Sequence, residues 1–268
     1  MAELKQRQTR KYGWKPDFPD NRDLQWVPEE LSYPIHTVML FDKYNFSKPY
    51  DQGNLGSCTG NGVGFLAQFE LMNKSLIDNP NAKVFMPSRL FIYWWERYIE
   101  HTVNFDSGAQ IRDGIRVLKA KGVCEEEKWP YNIEDFKEKP SDEAIAQAKK
   151  FQALNYKRIN NSNKGGLVAA LDNGFPIVFG FTVFSSFESD EVAHTGIVPM
   201  PQPDDYILGG HCCVIVGYNA EEDYFLVRNS WGTEWGIDGY FKMPGAYVTD
   251  RSLCSDFWII TKLEHGDD

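Results

Sequence analysis

Residues 51–58 read DQGNLGSC, which places a cysteine where the chain passes from a loop into a helix. After this cysteine, apolar residues recur at helical spacing, at Val63, Leu66 and Leu71, so a helix is expected to begin at or just after Cys58. The unpaired N–H groups and the dipole at the start of a helix stabilise a thiolate. Cys58 is therefore a candidate nucleophile, although an isolated cysteine after a turn is more often a buried structural residue.

The residues before Cys58 suit the same chemistry. Gly53 and Gly56 allow the backbone to come close to a substrate carbonyl. Gln52, six residues before the cysteine, carries a side-chain N–H donor. Gln52 and the Cys58 amide are thus expected to form an oxyanion hole, the set of donors that stabilises a carbonyl oxygen under attack.

A second stretch, GGHCCVIVGY at residues 209–218, supplies a candidate base. His211 opens an apolar strand, on which successive side chains face opposite sides. A lone histidine on such a strand is more often structural, but beside a thiol it is the natural base. Cys212 and Cys213 are expected to pack as small apolar side chains, one on each side of the strand.

A third stretch, RNSWGTEWG at residues 228–236, follows a strand that a short hairpin would place beside the His211 strand. The amide oxygen of Asn229 is then expected to accept from one imidazole N–H, which leaves the other ring nitrogen toward sulfur. Trp231 would cover that hydrogen bond. The alternative is a glycine-rich hairpin with aromatic packing, so it is the combination of the three stretches that indicates a Cys–His–Asn site.

The order of predicted elements divides the chain into an arm and two lobes. Residues 1–48 contain several prolines and little helical periodicity, so they are expected to form an N-terminal arm or a short pro-region. Residues 49–150 are predicted to form a helical lobe with the nucleophile, and residues 151–268 a β-rich lobe with His211 and Asn229. The fold class is therefore α+β, with the site in the cleft between the lobes. The predicted helices begin near residue 58 and cover residues 88–99, 109–120, 141–151 and 167–171, and the predicted strands cover residues 177–183, 211–218, 224–230, 240–243 and 256–261.

Composition and charge argue against several classes of function. Hydrophobic residues make up 42 % of the chain, enough for a substantial core. A net charge of −10 argues against a nucleic-acid partner, because phosphate binding needs clustered Lys and Arg. No apolar run approaches the roughly 20 residues of a membrane helix, and no secretory signal is visible. No membrane partner is expected, and we expect a cytoplasmic location, with a viral source left open.

The five cysteines favour free thiols in a reducing compartment. Their count is odd, and no CxxC spacing indicates a zinc site. A metal or redox site built from His211, Cys212, Cys213 and Cys124 stays open as an alternative. Adjacent residues on a strand point to opposite faces, which speaks against it.

Together these stretches resemble the papain-like cysteine peptidases, the family of papain and the cathepsins. The glutamine six residues before the cysteine and the stretch NSWGTEWGIDGY carry the resemblance. It implies a papain-like two-lobed α+β fold, a helical lobe plus an antiparallel β-barrel-like lobe with the cleft between them. The site residues that it implies are Gln52 in the oxyanion hole, the nucleophile Cys58, the base His211, and Asn229, which orients the base.

The resemblance also covers substrate binding. Trp231 matches the tryptophan that shields the asparagine, and Ser107-Gly108 looks like the glycine ledge whose backbone pairs with the substrate as an added strand. The implied partner is a peptide or protein substrate. No metal and no organic cofactor are implied.

Three departures from the family pattern carry expectations of their own. Thr59 stands where an aromatic residue usually follows the nucleophile, which would widen one side of the cleft. Leu55 replaces a cysteine that usually forms a disulfide, in agreement with a reducing compartment. The first 50 residues are shorter than the pro-region of the secreted members. With these departures the chain is most similar to bacterial or viral members of the family.

The implied reaction is hydrolysis of a peptide bond by a thiolate–imidazolium pair, Cys58 and His211, through a thioester acyl-enzyme. The pairing is expected to lower the pKa of Cys58. Two alternatives stay open. One is a catalytically silent binding module on the same fold, and the other is a peptide ligase or transpeptidase that uses the same site.

Residues 11–20, KYGWKPDFPD, suggest a role for the arm. Their aromatic side chains are suited to the pockets of a cleft, and their prolines favour an extended backbone. We hypothesise that this segment lies in or near the cleft as an intramolecular inhibitor. The alternative is an arm that packs on the outside of the two lobes.

Overall fold

The computed structural model describes residues 11–28, 33–77 and 84–264. Its three longest helices lie in the first half of the chain, which the sequence predicted to be helical. They are α1 (Cys58–Ile77), α2 (Arg89–Ile99), α3 (Ile111–Ala120), α4 (Asp142–Ala148), α5 (Lys164–Asp172), α6 (Asp190–Thr195) and α7 (Gly245–Thr249).

Two helix starts show how the chain sets these bounds. Helix α2 begins where predicted, because the Ser88 hydroxyl accepts from the Phe91 N–H at 3.1 Å and caps the first turn. Helix α3 begins at Ile111, two residues later than predicted. Ala109 and Gln110 form a short strand instead, and the partner of that strand comes from the N-terminal arm.

The strands are β1 (Trp14–Lys15), β2 (Val38–Met39), β3 (Ala109–Gln110), β4 (Ala153–Ile159), β5 (Ile177–Phe184), β6 (Ile207–Asn219), β7 (Tyr224–Arg228), β8 (Tyr240–Pro244) and β9 (Cys254–Leu263). Strands β4, β9, β5, β6, β7 and β8 form one antiparallel sheet in that order, and β2 pairs with β6. Strand β4 was not predicted. Strands β1 and β3 form a separate two-stranded parallel pair.

The predicted α+β fold with an antiparallel lobe is confirmed, but the large sheet of that lobe is open and does not close into a barrel. Its end strands are β4 and β8, and they do not pair with each other. A sheet must close only if its edges would otherwise stay exposed. Here each edge is partly covered by another segment: Gln25 of the arm bridges to Arg158 on β4, and Ile197 bridges to Lys242 on β8.

Helix α1 connects the two lobes. One side packs on α2 and α3, and the other packs on the sheet at β6 and β9. Leu55, just before the helix, is buried with Leu90, Tyr93 and Ala109 in a small apolar cluster. The first turn of α1 therefore lies between the lobes and against the sheet. Within the described residues, no helix is both long and apolar enough to span a membrane.

Candidate active site

Two backbone hydrogen bonds tie the loop before Cys58 to the loop after Asn229. The Gln52 N–H donates to the Ser230 carbonyl, and the Gly232 N–H donates to the Tyr50 carbonyl, both at 2.8 Å. The two loops are far apart in the sequence. The sheet lobe thus fixes the position from which α1 begins, and Cys58 is the first residue of that helix.

His211 and Asn229 meet as predicted. His211 Nε2 lies 2.8 Å from Asn229 Oδ1, which also accepts from the Ser230 N–H at 2.8 Å and the Cys213 thiol at 3.5 Å. Because these donors converge on Oδ1, Nε2 is the protonated ring nitrogen and Nδ1 is the one left to exchange a proton. Trp231 stacks on the imidazole, with ring centroids 4.9 Å apart.

The Cys58 thiol lies beside the His211 strand. Backbone hydrogen bonds reach it from Cys212, Gly13 and Thr59. Cys212 is the residue after His211, so this contact brings sulfur to the start of the apolar part of β6. Both Cys58 and His211 are fully buried.

Gln52 has its side-chain amide held in one orientation. Its Oε1 accepts from the Ser230 hydroxyl at 2.6 Å, so the NH2 group turns the other way. Nε2 donates to the carbonyl oxygen of Leu55 at 2.9 Å and to that of Lys11 at 3.2 Å. A backbone carbonyl thus occupies the place where the predicted oxyanion donor points.

The predicted glycine ledge is occupied by the arm. Strand β1 pairs with β3 in parallel, with Trp14 opposite Ala109, and the Ala109 N–H donates to the Gly13 carbonyl at 2.7 Å. A side chain at Gly13 would collide with the main chain, since its Cβ would lie 1.7 Å from the Gly56 carbonyl oxygen. Backbone pairing next to Gly108, at Ala109 and Gln110, therefore takes place in this structure with residues of the same chain.

The expected low pKa of Cys58 is not found in this state. Burial raises the pKa of the Cys58 thiol to about 12, and the three backbone hydrogen bonds offset only part of that effect. The arm shares in this burial, because Gly13 lies directly on the thiol. The structure accordingly shows a neutral, covered thiol.

Thr59 does not widen the cleft, contrary to expectation. Its side chain is buried, and the hydroxyl donates to Glu96 Oε2 on α2 at 2.7 Å. Burial raises the pKa of Glu96 well above the ordinary carboxyl value, which favours a protonated acid next to helix α1. Sequence reasoning missed Glu96, although an acid in the aromatic-rich helix α2 was a visible signal.

No metal site is evident in the part of the chain that the structure describes, where no three His, Cys, Asp or Glu side chains are grouped to hold an ion. The five cysteines are all buried and free, including Cys212 and Cys213 on β6.

Comparison with known proteins identifies the family of the chain. A family model described as papain family cysteine protease matches residues 106–254, which include His211 and Asn229. An uncharacterized peptidase C1-like protein of Acanthamoeba polyphaga mimivirus is 46 % identical, over 95 % of this chain and 88 % of the relative. The chain belongs to the papain family of cysteine proteases.

Solved structures of this family agree with the fold. Xylellain, a cysteine protease from Xylella fastidiosa, is 39 % identical with a TM-score of 0.86, and the match covers 96 % of this chain and 98 % of xylellain. A procathepsin B from Trypanosoma congolense shares the fold at 15 % identity, with a TM-score of 0.72 over 95 % of this chain and 86 % of that one. The protein is thus a papain-like hydrolase, and its similarity to bacterial and viral members is confirmed.

Proposed function

We propose that the protein hydrolyses peptide bonds through Cys58 and His211. The Cys58 thiol passes its proton to His211 Nδ1, and the thiolate attacks the carbonyl carbon of the substrate. The oxyanion is stabilised by the Cys58 N–H and Gln52 Nε2. His211 then protonates the leaving amine, and water, deprotonated by His211, hydrolyses the thioester to release the acid and restore the thiol.

The observation that carries this proposal is the position of the Lys11 carbonyl. Gln52 Nε2 is already directed at a backbone carbonyl oxygen, at 3.2 Å, beside the loop that leads to Cys58. Asn229 meanwhile holds Nε2 of His211 at 2.8 Å, which leaves Nδ1 for proton transfer. Donors, base and nucleophile therefore surround one peptide-sized space.

The test compares activity on an internally quenched peptide between the parent protein, Cys58→Ala and His211→Ala. A variant with an uncovered cleft, Gly13→Val, serves as the common background. Both substitutions should reduce turnover to the level without enzyme, whereas the matched control Cys124→Ala, a buried thiol of the helical lobe, should retain activity. Equal turnover in Cys58→Ala would overturn the proposal.

We also propose that residues 11–15 inhibit the enzyme from within the cleft. The Lys11 carbonyl accepts from Gln52, the predicted oxyanion donor, and the Gly13 N–H lies on the Cys58 thiol. The centroid of the Tyr12 ring lies 6.1 Å from that of the His211 imidazole. Water and substrate are both excluded, as the full burial of Cys58 and His211 shows.

The arm resists cleavage for a geometric reason. The carbonyl held by Gln52 belongs to Lys11, but the residue lying on sulfur is Gly13, two positions further along. Gly13 presents its N–H to the thiol, and its own carbonyl oxygen is bonded to the Ala109 N–H. The carbonyl held by Gln52 and the N–H on sulfur thus belong to different peptide groups, whereas attack requires one carbonyl with its carbon at sulfur and its oxygen in the oxyanion hole.

A reducing compartment such as the cytoplasm remains our proposal for the protein's location. It is supported by five buried free thiols and by Leu55, which packs as an apolar side chain where a disulfide partner would stand. Thiol titration of freshly denatured protein should give five reactive groups per chain. A count near three or one would contradict it.

A further inference from the structure

The arm meets a different carboxylate at nearly every residue. Each of its side chains from Lys11 to Lys15, except that of Gly13, donates a hydrogen bond to an acid of the protein body. The pairs are Lys11 with Asp106 at 3.0 Å, Tyr12 with Glu188, Trp14 with Asp256 at 3.1 Å, and Lys15 with Glu100 at 2.7 Å.

These acids are not neighbours in the sequence. Glu100 follows helix α2, Asp106 precedes the ledge at Gly108, and Asp256 belongs to strand β9. The fold therefore brings them to one cleft from both lobes. A general surplus of surface acids does not explain why they converge on a single bound segment.

Three of the acids share one arrangement, in which the framework holds one oxygen and the arm holds the other. Asp106 Oδ1 accepts from the Tyr93 hydroxyl at 2.7 Å, and Oδ2 accepts from Lys11. Glu100 Oε1 accepts from the Gln110 N–H at 2.8 Å, and Oε2 accepts from Lys15. The framework thus fixes each of these carboxylates and directs its other oxygen at the arm.

Asp256 repeats the arrangement inside a pocket. Its Oδ1 is held by Arg158 Nη2 at 2.6 Å, while Oδ2 accepts from Trp14 Nε1. The pocket exists because Gly180 and Gly210 lack side chains: a Cβ at either position would lie 1.9 Å and 2.6 Å, respectively, from atoms of the Trp14 ring. It fits a long flat side chain that ends in an N–H donor.

Asp256 also departs from ordinary strand geometry. Its φ is 59°, in the left-handed region, next to the register shift between Val178 and Gly180 in the β5–β9 pairing. Such a backbone is strained and is found where a side chain must be directed to a particular place. Here the irregular strand turns Asp256 into the pocket.

We propose that these acids make the enzyme selective for cationic peptides. The inference rests on the proposed peptidase function and names its substrate class. The Asp256 pocket, where Arg158 already pairs with the carboxylate, takes Trp through its N–H, and the Glu100 and Asp106 positions take Lys or Arg. Acidic residues are repelled at the Glu100 and Asp106 positions. The sequence of residues 11–15, Lys-Tyr-Gly-Trp-Lys, is then a copy of the side chains that the cleft prefers.

Cleavage of a mixture of natural peptides tests this selectivity. A proteome digested at glutamate, which keeps Lys, Arg and Trp inside the peptides, is incubated with the Gly13→Val protein, and new termini are identified by mass spectrometry. Basic residues or Trp should be enriched at least about threefold at two positions near the cut, and Asp should be depleted. Glu100→Gln and Asp256→Asn should each weaken the preference at one position. Glu222→Gln, which removes a surface acid bonded to Lys242, should not.

A binding measurement keeps the result independent of turnover and of the folding of one variant. The double variant Gly13→Val, Cys58→Ala is titrated with the free peptide Lys-Tyr-Gly-Trp-Lys and with an analogue that has norleucine in place of both lysines. The lysine peptide should bind about tenfold more tightly, with a difference that shrinks in high salt. Equal affinities, or Cys58-dependent cleavage without charge preference, would overturn the selectivity but leave the peptidase assignment intact. Absence of Cys58-dependent cleavage would instead overturn the assignment.

Discussion

The N-terminal arm has two stretches that the structure treats very differently. Residues 11–17 lie in the cleft, with Trp14 and Asp17 buried, whereas residues 18–28 lie on the surface. The outer stretch is not less apolar, since Phe18, Leu24 and Val27 are 76 %, 62 % and 64 % exposed. Hydrophobicity therefore does not decide which stretch is buried.

Two other properties of the inner stretch decide it. Gly13 fits against the main chain at Gly56, where no larger residue fits, and its neighbours donate hydrogen bonds to acids of the cleft. We expected the aromatic residues of segment 11–20 to fill pockets of the cleft. This holds for Tyr12 and Trp14, but it was wrong for Phe18, whose side chain has no N–H or O–H group to donate to an acid of the cleft. Docking is thus governed by backbone access and polar pairing.

The largest effect should come from Gly13→Val. A Cβ at this position would lie 1.7 Å from the Gly56 carbonyl oxygen, a main-chain atom that cannot move aside easily, so the arm must leave the thiol. The rate at which a thiol-specific probe labels Cys58 should rise by about 100-fold or more, since each 1.4 kcal/mol of lost docking is tenfold. Labelling is followed by mass spectrometry of the intact protein.

The outer stretch supplies the control for this experiment. Phe18→Ala removes a large apolar side chain from an exposed position of the outer stretch, and it should leave the labelling rate of Cys58 unchanged. Cys58→Ala gives the background from the four other buried thiols. If Gly13→Val labels no faster than the parent protein, then the arm does not restrict access to Cys58.

Trp14→Ala should have the next largest effect. The indole fills the pocket beside Gly180 and donates to Asp256, so its loss removes both apolar burial and a hydrogen bond. Labelling of Cys58 should speed up by about 10- to 50-fold. Trp14→Phe keeps an apolar ring without the N–H, so its Cys58 labelling rate should lie between those of the parent protein and Trp14→Ala. If Trp14→Phe equals Trp14→Ala, the hydrogen bond alone holds this residue.

A third prediction concerns pH and the end of the inner stretch. Burial, together with the charge of Asp256, raises the pKa of Asp17 to about 7, against a usual carboxyl value of about 3.9. The carboxylate faces the Arg112 N–H, the Trp258 indole and the guanidinium of Arg158, with Asp23 on the same arginine side chains. Once the arm leaves, Asp17 is in water and its pKa falls back.

The sign of the effect follows from proton uptake. Below about pH 4 Asp17 is protonated in both states, so docking does not depend on pH. Between about pH 4 and 7 the docked arm binds an extra proton, and docking therefore weakens as the pH rises. Relative to Asp17→Asn, which cannot ionise, the parent protein should be labelled faster at pH 7.5 than at pH 5, by up to about 70-fold for a pKa of about 7 in the docked arm and about 3.9 in the released arm. Dividing the labelling rate of the parent protein by that of Asp17→Asn at each pH cancels the effect of the titration of Cys58 itself. A flat ratio would show that Asp17 does not titrate with docking.

The residues of the candidate site could be predicted from the sequence because each is encoded in a short stretch. The order of Cys58, His211 and Asn229, with Gln52 six residues before the cysteine, indicated one site, and the His211–Asn229 contact is found at 2.8 Å. Local periodicity likewise predicted α2 within one residue, since Ser88 is an unambiguous cap.

What the sequence could not show depends on partners that lie far apart along the chain. Helix α3 loses Ala109 and Gln110 because the arm pairs with them. Ser107-Gly108 predicted backbone pairing with a substrate strand next to these residues, but nothing near residue 109 identifies the arm as the partner. The acids Glu100, Asp106 and Asp256 have no shared motif. The raised pKa of Cys58 follows from burial, which is a property of the assembled cleft and not of the helix start alone.

The smallest effect on the labelling rate of Cys58 should come from Lys15→Ala, which removes an ion pair of the inner stretch. An ion pair of the outer stretch serves for comparison. Lys15 lies 2.7 Å from Glu100, but its side chain is 39 % exposed, so water and salt screen much of the attraction. We expect Cys58 labelling to rise about two- to fivefold, the range for a partly exposed pair, and the parent rate to approach that of the variant in high salt. Arg22→Ala is the matched control, because Arg22 pairs with Asp20 at 2.6 Å within the outer stretch. It should leave labelling unchanged at any salt concentration. An equal rise in the Cys58 labelling rate for both substitutions would mean that the two ion pairs act only through the net charge of the arm. Only Gly13 and Trp14 would then distinguish the inner stretch from the outer one.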